Sequence, residues 1–508
     1  MRGSGILFPV FSLASKYGIG CFSREAKDFI DFLHDAGQTY WQILPIGPTG
    51  FGNSPYQPFS AFAGNPYFIC LETLIKEGYL TQEEVDAIDF GKDPEHVDYG
   101  AMYEHRNALL KKACEKWLEE NEETADFQAF LEKEAYWLND YSLYTAIKEE
   151  QNGACWLEWP DELKHRDPQA MIKAMGTLSD AIMVVHFVQY EFDRQWRELV
   201  QYAHKKQVQI IGDLPFYVSL DSADAWSHPE VFKTDAEGTP TEVAGCPPDA
   251  FSADGQLWGN PVYDWEALKK TDYRWWVQRI KRNYEFYDVI RFDHFHGFCE
   301  YFAVPYGETT AKTGKHYPGP GMEFFRALKQ QLGTLRMIAE DLGTVTAENQ
   351  KLLADSGLPG MKVLQYAFTS WDSVYVNHRH EKNSVVYTGT HDNTPTRAWV
   401  EEIGEGDRNY ARRYINSMNT DYGAFVWDMI REAYRSVADT CIIPLQDYLC
   451  KGKEARINCP GTQEGNWQWR LLPNFLSPDL CRSIRELADL YGRTPRPEPE
   501  EKETAEEA

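Results

Sequence analysis

Eight short apolar runs punctuate this chain, each ending in polar or loop-forming residues: Ile6–Phe11, Tyr40–Leu44, Val208–Ile211, Tyr287–Phe292, Leu335–Ala339, Lys362–Tyr366, Val385–Thr388 and Cys441–Leu445. Most are dense in Ile, Val, Leu and aromatic residues instead of alternating with polar ones. Strands buried on both faces of a parallel sheet read this way. Helix-like segments stand between several of them, at Arg24–Ala36, Gln189–Lys205, Trp275–Glu285 and Phe324–Leu332. Eight strands with helical crossovers predict an α/β fold, a (β/α)₈ TIM barrel, whose chemistry sits at the strand C-termini. Periodicity alone leaves an open doubly wound sheet as the alternative.

The spacing of the runs is uneven. About 160 residues separate the second from the third, far more than one crossover needs. The helical pattern Tyr103–Asn121 and the aromatic segment Tyr136–Trp159 lie there, so a helical insertion is expected over about 52–200. A second, loop-rich insertion, about 215–270, is heavy in Pro, Gly, Asp and Trp. Long ordered insertions on the catalytic face of a barrel shape substrate clefts. The reading is one catalytic barrel over 1–492 that carries both insertions. An acidic tail over 493–508 follows, expected to be disordered because its prolines and glutamates cannot build a core.

Composition narrows the partners. Lys+Arg 51 against Asp+Glu 78 leaves a net charge of −27, which opposes nonspecific binding to nucleic acid and to anionic membranes. The ten cysteines are scattered without a Cys-x-x-Cys pair, so neither a zinc site nor a disulfide framework is expected. No nucleotide-phosphate loop is present, and no metal or cofactor is expected. The apolar start, Ile6–Phe11, is short, broken by Pro9 and followed by no small-residue cleavage site. No uninterrupted apolar run approaches membrane-spanning length. A cytoplasmic protein is expected.

Four runs lead into acids: Asp213, Asp293, Glu340 and Asp392. One Asp after a strand is more often a helix cap or turn residue; four on one barrel rim argue for a shared site. An acetal is cleaved when one acid protonates the leaving oxygen while a carboxylate attacks or stabilises the anomeric carbon. The proton donor needs a desolvated or anionic setting to stay protonated near neutral pH. Arg291, two residues before Asp293, projects to the same side of its strand. There it favours the charged carboxylate and aims its oxygen, or else it satisfies a buried ion pair.

Longer motifs surround these acids. Arg291-Phe292-Asp293-His294-Phe295, Ala339-Glu340-Asp341-Leu342-Gly343 and Thr388-Gly389-Thr390-His391-Asp392-Asn393-Thr394 resemble the motifs of the 4-α-glucanotransferases, the amylomaltases or disproportionating enzymes of the α-amylase clan. Trp41–Thr49 and Asn53–Pro66 match an N-terminal block of that family, and Arg456–Thr462 through Asn466-Trp467 a C-terminal one. The resemblance runs from Phe8 to about Leu472. It implies a retaining enzyme that moves α-1,4-glucan segments from a donor maltooligosaccharide to the 4-hydroxyl of an acceptor glucan or glucose. Carried over position by position, it implies that Asp293 is the nucleophile of a covalent glucosyl-enzyme. Glu340 is then the acid that protonates the departing sugar and the base that activates the acceptor. Asp392 binds the 2- and 3-hydroxyls and stabilises the distorted transition state. His391 and His294 bond hydroxyls in the same subsite, Arg291 fixes Asp293, and Asp213, Asp249, Ser252, Asn260 and Asn458 complete the glucan contacts.

Glucose presents apolar C–H faces and equatorial hydroxyls, so a glucan groove needs flat rings flanked by polar groups. Tyr56, in Ser54-Pro55-Tyr56, is expected to stack beside the cleaved bond. Pro247–Asn260, which carries Trp258, resembles the family's mobile loop over the site. Phe51 stands where some relatives carry a Tyr of a remote glucan-binding surface, with Tyr99 nearby. An α-glucan hydrolase of the same clan shares the first half-reaction, and the acids alone do not separate the two. A noncatalytic glucan-binding barrel is the reading from another class.

Overall fold

The structure, a computed structural model, describes residues 2–50, 52–120, 124–248, 253–343 and 346–495. Each apolar run contributes a parallel strand: β1 (Gly3–Leu7), β2 (Tyr40–Gln42), β3 (Gln209–Leu214), β4 (Val289–Phe292), β5 (Met337–Ala339), β6 (Gly360–Val363), β7 (Ser384–Tyr387) and β8 (Thr440–Pro444). Neighbours in the chain are neighbours in the sheet, and β1 closes on β8 in the register Gly3↔Thr440 to Leu7↔Pro444. That closure settles the choice in favour of the barrel over an open sheet.

Two runs are strands for only part of their length. Val10–Ser12 and Leu364–Tyr366 coil into 3₁₀ turns; in the first, Pro9 has no N–H to extend a ladder. In β3, a Cβ on Gly212 would collide with the ring of Tyr287, so glycine there lets the next strand's aromatic pack tightly beside Asp213. Inside the barrel the Tyr387 hydroxyl donates to Gln42 Oε1 at 2.9 Å, satisfying a buried phenol.

The crossover helices include Arg24–Asp35, Ser179–Lys205, Arg274–Phe286 and Gly321–Leu332. Helix Ser179–Lys205 also belongs to the long stretch between β2 and β3, where helices Asn107–Glu120 and Ala125–Glu150 pack with it through Trp117, Phe127 and Phe187. Buried Arg282, on Arg274–Phe286, donates to Asp193 at 3.1 Å and Glu134 at 3.4 Å, tying that helical insertion to the barrel. The stretch after β3 is more ordered than its composition suggests. Its strands Glu242–Cys246 and Gln256–Pro261 join Glu300–Pro305 and Lys315–Pro318, which follow β4, in one four-stranded antiparallel sheet. The insertion after β4 was not anticipated. Its run Tyr301–Val304 is as apolar as a barrel strand, but it pairs with Lys315–Pro318 just after it and with Glu242–Cys246 some 60 residues before it.

The folded body also runs past the boundary expected for the tail. Arg493 is fully buried and donates to the carbonyls of Gly3, Tyr434, Ser436 and Ala438 at 2.9–3.0 Å. Residues 493–495 therefore belong to the barrel body, and 496–508 lie outside the described residues. No single helix among the described residues is long and apolar enough to cross a membrane.

Candidate active site

Two neighbouring strands deliver the first acids. β4 sets Arg291 opposite Asp213 of β3 in the parallel register. Arg291 Nη1 donates to both Asp213 oxygens at 2.8 Å and to Asp293 Oδ1 at 3.1 Å, so one buried guanidinium aims Asp293. The main chain fixes the rest: Asp293 N donates to Leu214 O, Glu340 N to Phe292 O and Phe295 N to Glu340 O. His294 turns into the left-handed region at φ 48°, and its N–H donates to Glu340 Oε2 at 2.8 Å. The residue after Asp293 thus holds Glu340, and one turn sets both acids.

Their surroundings separate their roles. Burial pushes the Glu340 carboxyl up to about 8; Arg291 opposes the rise and the charge of Asp293 adds to it. At neutral pH Glu340 is therefore largely a protonated acid, as a proton donor must be. Burial also raises Asp213 to about 7 against the pull of Arg291. It lowers His294 to about 4 and His391 below its ordinary value, which keeps both imidazoles neutral.

The third acid is held by side chains. Asp392 sits in the loop after β7, where Asn458 Nδ2 donates to its Oδ1 at 2.6 Å and Arg456 Nη2 to its carbonyl at 3.0 Å. His391 Nε2 lies 3.3 Å from the other carboxylate oxygen. The Tyr56 hydroxyl joins this loop to the first corner, donating to Asp213 Oδ2 at 2.9 Å and meeting His391 Nε2 at 2.8 Å. With the phenol donating to Asp213, the pattern assigns the His391 proton to Nε2. The two rings also stack, 5.3 Å apart and 14° from parallel.

Asp293, Glu340, Asp392, Arg291, His294, His391, Tyr56 and Asn458 converge as expected, and Trp258 joins them with its indole edge-on to His294 at 5.3 Å. Two residues expected to touch sugar are buried with their polar atoms engaged by neighbours. Asp213 is 1% exposed, its oxygens taken up by Arg291 and Tyr56. Asn260 is 3% exposed, its amide exchanging bonds with Gln57 and donating to Val218 O. Both are interior braces, because a buried polar group must satisfy its hydrogen bonds where it sits. Asp249, Ser252 and Phe51 lie outside the described residues. Tyr99 donates to the carbonyl of Trp467, whose ring packs 5.7 Å from Tyr56, and lines a cavity of about 400 Å³ with Asn53, His96 and Gln468.

One functional residue escaped the sequence reading. Asp447, 1% exposed just after β8, accepts from Thr388 Oγ1 at 2.6 Å and from Thr396 Oγ1 and N at 2.7 Å. It staples both ends of the loop that carries His391 and Asp392. Gln365 Nε2 adds bonds to Thr394 O and Thr396 Oγ1. The available signal was position: Asp447 follows its strand as the other acids follow theirs. Among the described residues no cluster of three or more His, Cys, Asp or Glu side chains is arranged to hold a metal ion.

A protonated acid set by the same turn as an arginine-paired carboxylate, at strand C-termini of a parallel barrel, marks a barrel enzyme of glycosidic-bond chemistry. Residues 8–475 match the family model described as 4-alpha-glucanotransferase. The chain is 45% identical over 487 residues to the 4-alpha-glucanotransferase of Clostridium butyricum, covering 95% of this chain and 99% of that protein. It is 43% identical over 495 residues to the enzyme of the same name from Streptococcus pneumoniae, with 97% of each covered. Among solved structures, amylomaltase from Streptococcus agalactiae in complex with acarbose superposes with a TM-score of 0.95 at 39% identity, covering 97% of this chain and 100% of that one. The chain belongs to the 4-alpha-glucanotransferase family.

Proposed function

We propose that the barrel performs the family's transfer of α-1,4-glucan segments by double displacement, with Asp293 as nucleophile and Glu340 as acid and base. An Asp293 oxygen attacks the anomeric carbon as Glu340 gives its proton to the glycosidic oxygen, and the departing glucan leaves with a free 4-hydroxyl. An acceptor 4-hydroxyl then attacks the same carbon, Glu340 takes its proton back, and Asp293 is released. Two inversions retain the configuration. Asp392, braced by Asn458, faces the sugar hydroxyls whose bonds tighten in the transition state. His294 and His391, both neutral, add hydrogen bonds without charge, and Tyr56 supplies a ring beside the cleaved bond. Glucose and short maltooligosaccharides serve as acceptors. No disulfide joins any of the ten cysteines among the described residues, which supports a reducing, cytoplasmic setting.

The observation that carries this reading is the shared turn: Arg291 aims Asp293, and the His294 N–H holds a Glu340 that burial keeps protonated. Transfer, as opposed to hydrolysis, further requires that bound acceptor outcompete water for the intermediate. Incubation of the purified protein with maltotriose tests it. Longer oligosaccharides at a nearly constant number of reducing ends are the expected result. Shorter sugars with rising reducing ends would make the enzyme a hydrolase, and no change with glucan binding intact would make it a noncatalytic binder.

A further inference from the structure

The segment after β6 carries an indole that packing does not explain. Trp371 stands among short polar residues, Thr369-Ser370-Trp371-Asp372-Ser373, and is 74% exposed. One exposed apolar side chain is ordinary in itself; the setting distinguishes this one. The turn beneath it is fixed, since Ser373 Oγ donates to Tyr366 O at 3.0 Å and Arg379 Nη1 to Asp372 O at 2.6 Å. Tyr366 is 38% exposed, and its hydroxyl accepts from the Asn393 amide at 2.9 Å, one residue from Asp392. Tyr375 packs edge-on against Tyr366 at 5.5 Å, and its hydroxyl lies against the backbone of Gly343, three residues beyond Glu340. The segment therefore bridges the loops of Glu340 and Asp392. Trp371 follows Tyr366 by five residues, a reach of at most about 17 Å.

If Glu340 is the acid, as proposed above, the sugars on its side of the cleaved bond are first the departing glucan and then the acceptor. We propose that Trp371 is an outer platform of this acceptor side, on which a distal glucose unit of a long α-1,4-glucan stacks its C–H face. An indole presents a large flat face and asks for no particular hydrogen-bond pattern, so it grips the chain without touching the chemistry. Its effect falls on acceptor length: a single glucose does not reach it, and a long chain does.

The test compares Trp371→Ala with the unmodified enzyme, using α-maltotriosyl fluoride as donor, whose leaving group cannot reach Trp371, and two acceptors. One acceptor is glucose; the other is a thio-linked maltoheptaose, which accepts at its free 4-hydroxyl and resists cleavage. The expected result is a KM for the long acceptor raised roughly three- to tenfold, with kcat and the glucose kinetics unchanged and Trp371→Phe recovering most of the loss. Equal KM values for the long acceptor in both enzymes, or an equal rise with glucose, would overturn the platform. Unmodified enzyme that transfers to neither acceptor would overturn the transferase reading, and the platform with it.

Discussion

The two halves of the site are anchored by different means. At the β4–β5 corner, main-chain bonds do most of the placing, with Arg291 aiming the Asp293 carboxylate: Asp293 N on Leu214 O, Glu340 N on Phe292 O and the His294 N–H on the Glu340 carboxylate. In the loop after β7, side chains distant in sequence do the placing, with Asn458 and Arg456 on Asp392 and Asp447 on the two threonines that bracket it. A main-chain donor is lost only to proline, whereas a side-chain brace is lost to any truncation. Substitutions at the corner should therefore remove chemistry and leave geometry, and substitutions around the loop should do the reverse.

The largest effect is expected at the corner. Asp293→Asn should lower kcat on the order of 10⁴-fold or more, with melting temperature and glucan binding nearly unchanged. Turnover close to normal in pure variant protein would remove Asp293 from the nucleophile's role. Glu340→Gln should cost between about 10² and 10⁴ in rate, most with donors whose leaving group is poor; equal losses across leaving groups of different acidity would contradict an acid role. The unmodified enzyme should lose activity as pH rises through about 8, a limb that Glu340→Gln should lack. Stability follows with a definite sign. The folded value lies above the ordinary 4.5, so protonated Glu340 favours the fold; this contribution is complete below about 4.5 and is lost as pH rises through about 8. Denaturant curves should show the unmodified enzyme losing stability relative to Glu340→Gln across that window, and parallel curves would refute the assignment.

The loop should respond more mildly. Asp447→Asn leaves a buried site short of an acceptor for three donors and should lower kcat about 10- to 100-fold by letting Asp392 drift, with the alkaline limb near pH 8 kept. Adding Thr396→Val should do little further harm, because both changes cut the same brace; fully additive losses would separate them. Asn458→Ala should have the smallest effect, roughly tenfold or less, since Arg456 still holds the Asp392 backbone. A loss as large as that of Asp293→Asn would give Asn458 a direct part in the reaction.

The same contrast explains what could be read from the sequence. The barrel was legible because buried parallel strands are written as dense apolar runs, and the corner acids because they end those runs. Asp392 was legible as the acid that the Val385–Thr388 run leads into and through the length of its motif. The burial and partners of Asp213 and Asn260 were not legible, because a sequence names a polar side chain without saying whether it faces a cleft or a neighbouring strand. Asp447 escaped because its partners, Thr388 and Thr396, are more than 50 residues away. The antiparallel sheet joining the insertions after β3 and β4 escaped for the same reason: a ladder between distant segments leaves no local period.

The seam between β1 and β8 has a consequence for the making of the molecule. A chain synthesised from its N-terminus produces Gly3–Leu7 more than 400 residues before Thr440–Pro444, the partner of one edge of that strand, and the Arg493 grip on Gly3 O comes later still. While the residues between them are made, β1 presents an open edge of the kind that invites wrong pairing. His391, Asp392, Asn458 and Asp447 also follow Asp293 and Glu340 in the chain, so the loop half of the site can close only after the β4–β5 corner has been made.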